Sequence, residues 1–369
     1  MQLTDPVLPW LAGLLAAGVF VSVVLGWPRW RKRWARQVGR GVSVLLINAL
    51  VIGMSFLLLN NTYVFYSSWS DVFGTSPLQQ ATAHGGSAGE ILQKVPGPTL
   101  ARVTGKRDFT LPDPGKRMQS YEVNDVASST RMNVLVYLPA GYRSRSSRRY
   151  PVIVGLHGFP AVPHSFAKIN FLHTADRLTR EHQLAPTIFV IPQINNPTNL
   201  DTECVNGPAG APQTDTWLSS ELPRWVVAHF HVQTGRLSWA TLGYSFGGWC
   251  AAELTMRHPS IFSAALVFEG YFELDFGRTY RPITGAARRP YDLVTMAGNN
   301  PPPVAVWVFG SRQDGLSAPT TTGFVQRAKP PLVVSATIVP TGGHRSAVYS
   351  PYTAGALSWL ARTIPGFHA

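Results

Sequence analysis

A serine flanked by glycines is the most chemically suggestive feature of this sequence. Residues 243–248 read GYSFGG and contain the pattern Gly-x-Ser-x-Gly centred on Ser245. The apolar run 237–242 before it is typical of a strand, and residues 249–256 after it are typical of a helix. A strand that turns sharply into a helix exposes one serine hydroxyl at a sheet edge, and flanking glycines avoid clashes there. The sequence therefore predicts a nucleophilic serine of a hydrolase or an acyltransferase.

Acid and base candidates follow this serine in chain order. A serine hydroxyl is a poor nucleophile unless a positioned base removes its proton. Asp314 follows the predicted strand 304–309, and His344 follows the predicted strand 333–339. Ligand sites of parallel sheets form at the carboxyl ends of the strands. We therefore expect His344 to accept the proton of Ser245 and Asp314 to orient the imidazole.

Other residues compete for these roles. Glu269 and Glu273 follow the preceding strand, and either could replace Asp314 as the acid. His229 and His231 are two residues apart, a spacing that suits neither one helical face nor an H-E-x-x-H zinc site. We predict no metal and no cofactor.

Two backbone donors are expected to stabilise the oxyanion, each contributing about 3 kcal/mol to catalysis. One is the N–H of Phe246, directly after the nucleophile. The other is the N–H of Phe159 in the loop after the predicted strand 150–156, where Gly158 lets the backbone turn inward. His157 in the same loop is interpreted as a structural turn residue.

Strand and helix patterns alternate over residues 118–369, which predicts a mostly parallel sheet with helices on both faces. The predicted strands are 132–138, 150–156, 187–192, 237–242, 264–268, 304–309 and 333–339. The predicted helices are 170–183, 216–229, 249–256 and 351–363. Residues 271–303 show no period and are either a lid over the acyl chain or an ordered surface excursion.

Two stretches without charged residues, 7–27 and 41–70, are each longer than the roughly 20 residues that cross a bilayer. A basic stretch follows the first of them, whereas a cleavable signal peptide carries its positive charges before the apolar run. Transmembrane helices are predicted at about 7–27 and 42–62. The basic loop 28–40 between them should be cytoplasmic, which places the catalytic domain outside. Buried helices of a soluble domain are the alternative.

The domain organisation follows from these patterns. Residues 1–70 are predicted to be a two-pass membrane anchor, 71–117 a linker rich in Gly, Ser, Thr and Pro, and 118–369 the catalytic domain. The formal net charge is +13, yet the sequence holds no nucleic-acid-binding motif. The basic excess therefore indicates a membrane surface as partner and not a nucleic acid.

Cys204 and Cys250 are the two cysteines of the chain. Outside the cytoplasm such a pair can form a disulfide. Two separate buried thiols are the alternative.

Five segments carry a family resemblance. They are 136–142 (VYLPAGY), 150–158 (YPVIVGLHG), 243–248 (GYSFGG), 258–262 (HPSIF) and 342–344 (GGH). Together they resemble the esterase D-like family of α/β-hydrolases, which includes the actinobacterial mycolyltransferases. The resemblance implies an α/β-hydrolase fold with Ser245 as nucleophile, His344 as base and Asp314 as acid. Mycolyltransferases use glutamate as the acid, and the family's tryptophan soon after the histidine is replaced here by Arg345-Ser346-Ala347.

The predicted function is therefore that of a membrane-anchored, extracytoplasmic serine esterase or acyltransferase. It would act on an ester of a cell-envelope lipid or glycolipid through an acyl-enzyme on Ser245. The alternative is a non-catalytic envelope scaffold that keeps a hydrolase fold for binding. The sequence predicts no oligomeric state.

Overall fold

The computed structural model describes residues 3–26, 33–73, 82–84, 100, 108–277 and 280–369. The chain divides into two compact units. The first comprises Met1–Gln79, Arg312–Leu316 and Pro340–Arg345. The second comprises Gln80–Ser311, Ser317–Val339 and Ser346–Ala369.

The helices of the first unit are largely apolar. They are α1 (Leu8–Gly26), α2 (Arg33–Tyr63) and the short α3 (Trp69–Val72). By length and composition α1 and the Gln37–Asn61 part of α2 could each cross a membrane. Their apolar side chains are mostly exposed, as Leu14 at 69% and Leu45 at 72% illustrate. Exposed apolar surface of this extent is uncommon on soluble proteins and marks contact with a membrane or a partner.

The second helix starts earlier than predicted. Residues 33–40, which were expected to belong to a cytoplasmic loop, form the first turns of α2. Arginine, alanine and glutamine favour helix, so the apolar helix extends back into the basic segment. Residues 27–32 lie outside the described residues.

The second unit contains a nine-stranded sheet in the part of the chain that the structure describes. The strands are β1 (Thr82–His84), β2 (Met118–Asp125), β3 (Thr130–Tyr137), β4 (Val152–Leu156), β5 (Ile188–Pro192), β6 (Trp239–Tyr244), β7 (Ala264–Phe268), β8 (Ala305–Ser311) and β9 (Val333–Val339). Their order is β1-β9-β8-β7-β6-β4-β5-β3-β2. Strands β4 to β9 pair in parallel, whereas β1, β2 and β3 make antiparallel pairs at the two edges.

Helices and apolar cores cover both faces of this sheet. The helices are α4 (Pro163–Ala167), α5 (Phe171–Arg180), α6 (Thr214–Thr216), α7 (Leu222–His229), α8 (Phe246–Arg257), α9 (Leu293–Asn299), α10 (Ala318–Arg327), α11 (Ser346–Tyr349) and α12 (Thr353–Thr363). Successive side chains of β4 alternate between two cores: Val152 and Val154 join one with α7 to α10, and Ile153 joins the other with α5 and α12. This arrangement confirms the predicted α/β class.

The predicted linker, residues 71–117, lies mostly outside the described residues. Its described parts are structured at two places. Asp71 belongs to α3, and Thr82–His84 forms β1, which pairs with β9. The bounds of the linker stay a prediction, with regular structure at these two places.

The described part of 271–303 has structure of its own. It contains a 3₁₀-helix, Gly285–Tyr291, followed by α9. Phe272, Phe276 and Tyr291 are buried in the core that α7 to α10 share. These contacts favour the ordered surface excursion over a lid.

The segment is also tied to the loop after β5. Tyr271 Oη donates to Glu203 Oε1 at 2.5 Å, and the N–H of Asp275 donates to Glu203 Oε2 at 3.2 Å. Next to Glu203, Cys204 is bonded to Cys250 of α8. The disulfide thus fastens this loop to the helix that follows the serine.

Candidate active site

Ser245 occupies a strained turn between β6 and α8. Its backbone dihedrals are φ 57° and ψ −129°, in a region that a residue with a side chain rarely adopts. Such conformations cost about 1–3 kcal/mol and cluster at functional sites. The N–H of Ser245 donates to the carbonyl of Phe268 in β7 at 2.9 Å, which holds the turn against the sheet. The conformation is the one expected of a nucleophile elbow.

The glycines of the motif are required because a side chain at these positions would clash with the backbone. A Cβ at position 243 would lie 1.9 Å from the carbonyl oxygen of Gly247. A Cβ at position 247 would lie 2.2 Å from the carbonyl oxygen of Leu156 in β4. Larger residues would force the turn away from the sheet, so the sequence pattern and the elbow geometry depend on each other.

The predicted oxyanion loop lies beside the serine. A Cβ at Gly158 would be 2.9 Å from the ring of Tyr244 and 3.5 Å from Cβ of Ser245, so the loop after β4 passes directly against the elbow. The rings of Phe159 and Phe246 have their centroids 6.0 Å apart. Phe246 is the first residue of α8, where an N–H has no partner within its own helix. The structure thus brings both predicted donor residues to Ser245.

His157 in this loop is a structural residue, as interpreted from the sequence. Its side chain is completely buried. The ring Nδ1 lies 2.9 Å from the carbonyl oxygen of Gly158, and Nε2 accepts from the N–H of Ile194 at 3.4 Å. Burial lowers the pKa of His157 from 6.5 to about 4. The neutral imidazole therefore stabilises the loop after β4 through these two hydrogen bonds.

The predicted acid and base are in direct contact within the first unit. His344 Nδ1 lies 2.8 Å from Asp314 Oδ2. Asp314 is completely buried, and its Oδ1 accepts from the N–H of Leu316 at 3.0 Å. A proton held on Nδ1 by the carboxylate leaves Nε2 as the basic atom, which is the tautomer that a general base requires. Among the two competing acids, Glu273 is exposed and Glu269 is buried at the end of β7.

The loop of His344 rests on backbone that follows α2, which sequence reasoning missed. The N–H of His344 donates to the carbonyl of Val64 at 2.9 Å. A Cβ at Gly343 would lie 2.1 Å from the carbonyl oxygen of Phe65 and 2.3 Å from that of Val64. The contact is made by backbone atoms, and no residue pattern records it.

A cluster of Asp215, Glu253 and His258 places possible metal-ligand atoms within 4.8 Å of one another. Arg257, however, donates to Asp215 Oδ2 at 2.9 Å and also to Glu253. Its guanidinium balances both carboxylates, and His258 Nε2 lies 2.6 Å from Asp215 Oδ1. The cluster is better explained as a buried ion-pair network than as a metal site.

Comparison with known proteins gives a consistent assignment. Residues 126–275 match the family model described as "Putative esterase". An uncharacterized protein of Corynebacterium glutamicum is 27% identical over 148 residues, which are 40% of this chain and 34% of that protein. The match thus spans about a third of the length of that relative.

Two solved structures share the fold. A ferulic acid esterase has a TM-score of 0.58 and 17% identity, covering 67% of this chain and 98% of the other. The S-formylglutathione hydrolase from Agrobacterium tumefaciens has a TM-score of 0.56 and 17% identity, covering 67% and 95%. These matches support the resemblance found in the motifs. Residues 126–275 are similar to the esterase family, and the solved structures share the α/β-hydrolase fold with this chain.

Proposed function

We propose that this protein is a membrane-anchored serine esterase or acyltransferase that forms an acyl-enzyme on Ser245. The observation that carries the proposal is the strained elbow of Ser245. Its flanking positions must be glycine, because a side chain there would clash with the backbone. A strained turn that serves only stability would be relaxed by ordinary residues, whereas a nucleophile has to be presented above the sheet. The pairing of His344 with Asp314 supports the same conclusion.

In the proposed reaction, Nε2 of His344 accepts the proton of Ser245 as Oγ attacks the ester carbonyl. The N–H groups of Phe246 and Phe159 stabilise the oxyanion. The C–O bond to the alcohol then breaks, and the imidazolium returns the proton to the departing oxygen, leaving an acyl ester on Ser245. Asp314 stabilises the imidazolium throughout. In the second half, water or the hydroxyl of an acceptor gives its proton to His344 and attacks the acyl carbon. The bond from that carbon to Ser245 Oγ breaks, and the imidazolium returns the proton to Oγ.

The position of the base within the first unit supports a lipid or glycolipid ester as substrate. The apolar stretch of α2 ends at Asn61, and the N–H of His344 donates to Val64, three residues further on. Three residues extend at most about 10 Å. If α2 spans the bilayer, His344 lies at the level of the headgroups, because the polar regions of a bilayer are several ångströms thick on each side. Trp69, which is 43% exposed, suits such an interface.

The distribution of charge supports an extracytoplasmic site. Arg33, Arg36 and Arg40 stand at the start of α2, and basic residues that flank a span remain in the cytoplasm. The opposite end of α2, which Val64 directly follows, would then face outward. With an impermeant maleimide on intact cells, Ser70→Cys should label and Arg36→Cys should not. Labelling of Arg36→Cys alone would reverse the proposed orientation.

A fluorophosphonate probe tests the catalytic proposal on membranes that contain the full chain. We expect the wild type to be labelled, Ser245→Ala to lose all labelling, and Ser147→Ala on the exposed loop after β3 to keep it. A wild type that fails to label would favour the non-catalytic scaffold. Vesicles that hold a lipid ester and a glycolipid then separate the two reactions, because hydrolysis yields free acid and acyl transfer yields a new ester.

A further inference from the structure

The residue after the proposed base has an unexpected partner. The guanidinium of Arg345 donates to the carboxylate of Asp71 in α3, and its carbon lies 4.7 Å from the ring centroid of Tyr66. The side chains of Arg345 and Asp71 are only 20% and 7% exposed. A pair this well shielded from water holds its geometry more tightly than a surface salt bridge.

The segment that carries Asp71 is itself fixed to the end of α2. We call residues 64–71 the exit segment. Asn60, which is 1% exposed, accepts from the N–H of Tyr66 at 2.8 Å and donates to its carbonyl at 2.9 Å. Asp71 Oδ2 accepts from the N–H of Ser67 at 3.0 Å. These hydrogen bonds fix the exit segment to the last turn of α2.

The exit segment lies against the loops of both the acid and the base. The carbonyl of Val64 accepts from the N–H of His344 at 2.9 Å, and Cγ2 of Val64 lies 3.3 Å from where a Cβ at Gly315 would be. Gly315 directly follows Asp314. Val64, the first residue after α2, thus lies against the loops of both residues.

From these contacts we infer that Asp71 and Arg345 are positioning residues for the base. Their ion pair and the Val64 carbonyl hold the backbone of His344, so that its imidazole keeps its hydrogen bond with Asp314. The inference rests on the proposed function. It gives the exit segment a role in positioning the base, in addition to its role in connecting the proposed membrane anchor to the rest of the chain.

The expected effect is on turnover and not on substrate binding. Removing the carboxylate of Asp71 leaves the Arg345 guanidinium buried without its counterion, and the His344 loop shifts to relieve this. A displacement of about 1 Å in a catalytic group lowers the rate about 10²-fold. Asp71→Asn and Arg345→Gln should each lower kcat about 10²-fold and leave KM within about twofold. Because both act through one contact, the double variant should be no slower than either single variant.

The experiment uses the full chain in detergent micelles with p-nitrophenyl butyrate as substrate. Glu181→Gln is the matched control, because Glu181 pairs with Arg177 on the surface of α5 at 3.0 Å and should leave kcat unchanged. Asp71→Glu, which keeps the charge, should recover at least tenfold of the lost turnover. Thermal unfolding of each variant is recorded. If Asp71→Asn does not fold, Arg345→Lys replaces it, with an expected loss of about tenfold in kcat because lysine cannot reproduce the guanidinium contact.

The outcomes separate the two proposals. Inactive wild type would overturn the proposed function and this inference together. Active wild type with unchanged kcat in Asp71→Asn, or in its substitute Arg345→Lys, would overturn the inference alone. Additive losses in the double variant would also overturn it, since they would show that the two residues act separately.

Discussion

The buried imidazole of His157 should make the stability of this protein depend on pH. The pKa of His157 is about 4 in the folded state, whereas an unfolded histidine has a pKa near 6.5. As the pH falls from 6.5 to 4, the histidine of the unfolded chain binds a proton while that of the folded chain stays neutral. Protonation therefore stabilises the unfolded chain, and the free energy of unfolding falls. The contribution is fully present above about pH 6.5 and is lost progressively toward pH 4.

The size of the effect follows from the two pKa values. A difference of about 2.5 pH units corresponds to about 3.4 kcal/mol once the pH is below both values. Between pH 7 and pH 5 the loss from this one residue is about 2 kcal/mol. That is a large part of the usual stability of a domain.

The measurement compares the wild type with His157→Asn, full chain, in detergent micelles. The asparagine amide can still donate toward the carbonyl of Gly158 but takes up no proton. Urea unfolding followed by tryptophan fluorescence at pH 7 and pH 5 gives one difference for each protein, in which the fixed cost of the substitution cancels. We expect the wild type to lose about 2 kcal/mol more than the variant.

A second histidine variant serves as the matched control. His368 is exposed near the carboxyl terminus, so His368→Asn should show the same dependence on pH as the wild type. Equal losses in the wild type and in His157→Asn would refute the argument, because burial would then not hold the imidazole neutral.

Three further predictions concern the site and the fold. Asp314→Asn should lower kcat for ester hydrolysis about 10⁴-fold in a protein that still unfolds cooperatively, and retained activity would mean that another acid serves. Gly247→Ala, whose Cβ would lie 2.2 Å from a carbonyl of β4, should abolish fluorophosphonate labelling and lower the Tm, whereas Gly355→Ala in α12, where the added Cβ meets open space, should keep the labelling and not lower the Tm. Replacing Cys204 and Cys250 by serine should lower the free energy of unfolding by about 4 kcal/mol in urea, because the bond joins residues with a separation of 46; no change would mean that the thiols are not paired in the cell.

The central strands could be predicted because parallel strands covered on both faces have continuous apolar sequences. Val152–Leu156 and Ile188–Pro192 are buried along their whole length. Met118–Asp125 was missed because it is an edge strand with several polar or exposed side chains. The short Thr82–His84 strand was missed because its three residues give no period to detect.

The elbow of Ser245 and the pairing of Asp314 with His344 could be predicted for different reasons. The elbow of Ser245 depends on small residues within a window of six, so its pattern is local and visible in the sequence. Asp314 and His344 were found by their positions after strands, and their hydrogen bond at 2.8 Å confirms that these two residues meet. The order along the chain alone left Glu269 and Glu273 open as acids.

The residues after α2 show what a sequence pattern cannot encode. Ser68 and Asp71 have the spacing of a helix N-cap, and Oγ of Ser68 accepts from the N–H of Asp71 at 3.2 Å, so α3 itself could have been predicted. The contact of Val64 with the His344 loop could not, because it is made by a backbone carbonyl, which every residue type has. The one sequence signal was Arg345-Ser346-Ala347, which stands where the resembled family has a tryptophan soon after the histidine, since a cation that is shielded from water requires an anion nearby. The partner of that cation is Asp71, the first residue of the segment interpreted as a linker, so the residues that follow α2 and the loop of the base have to be considered together.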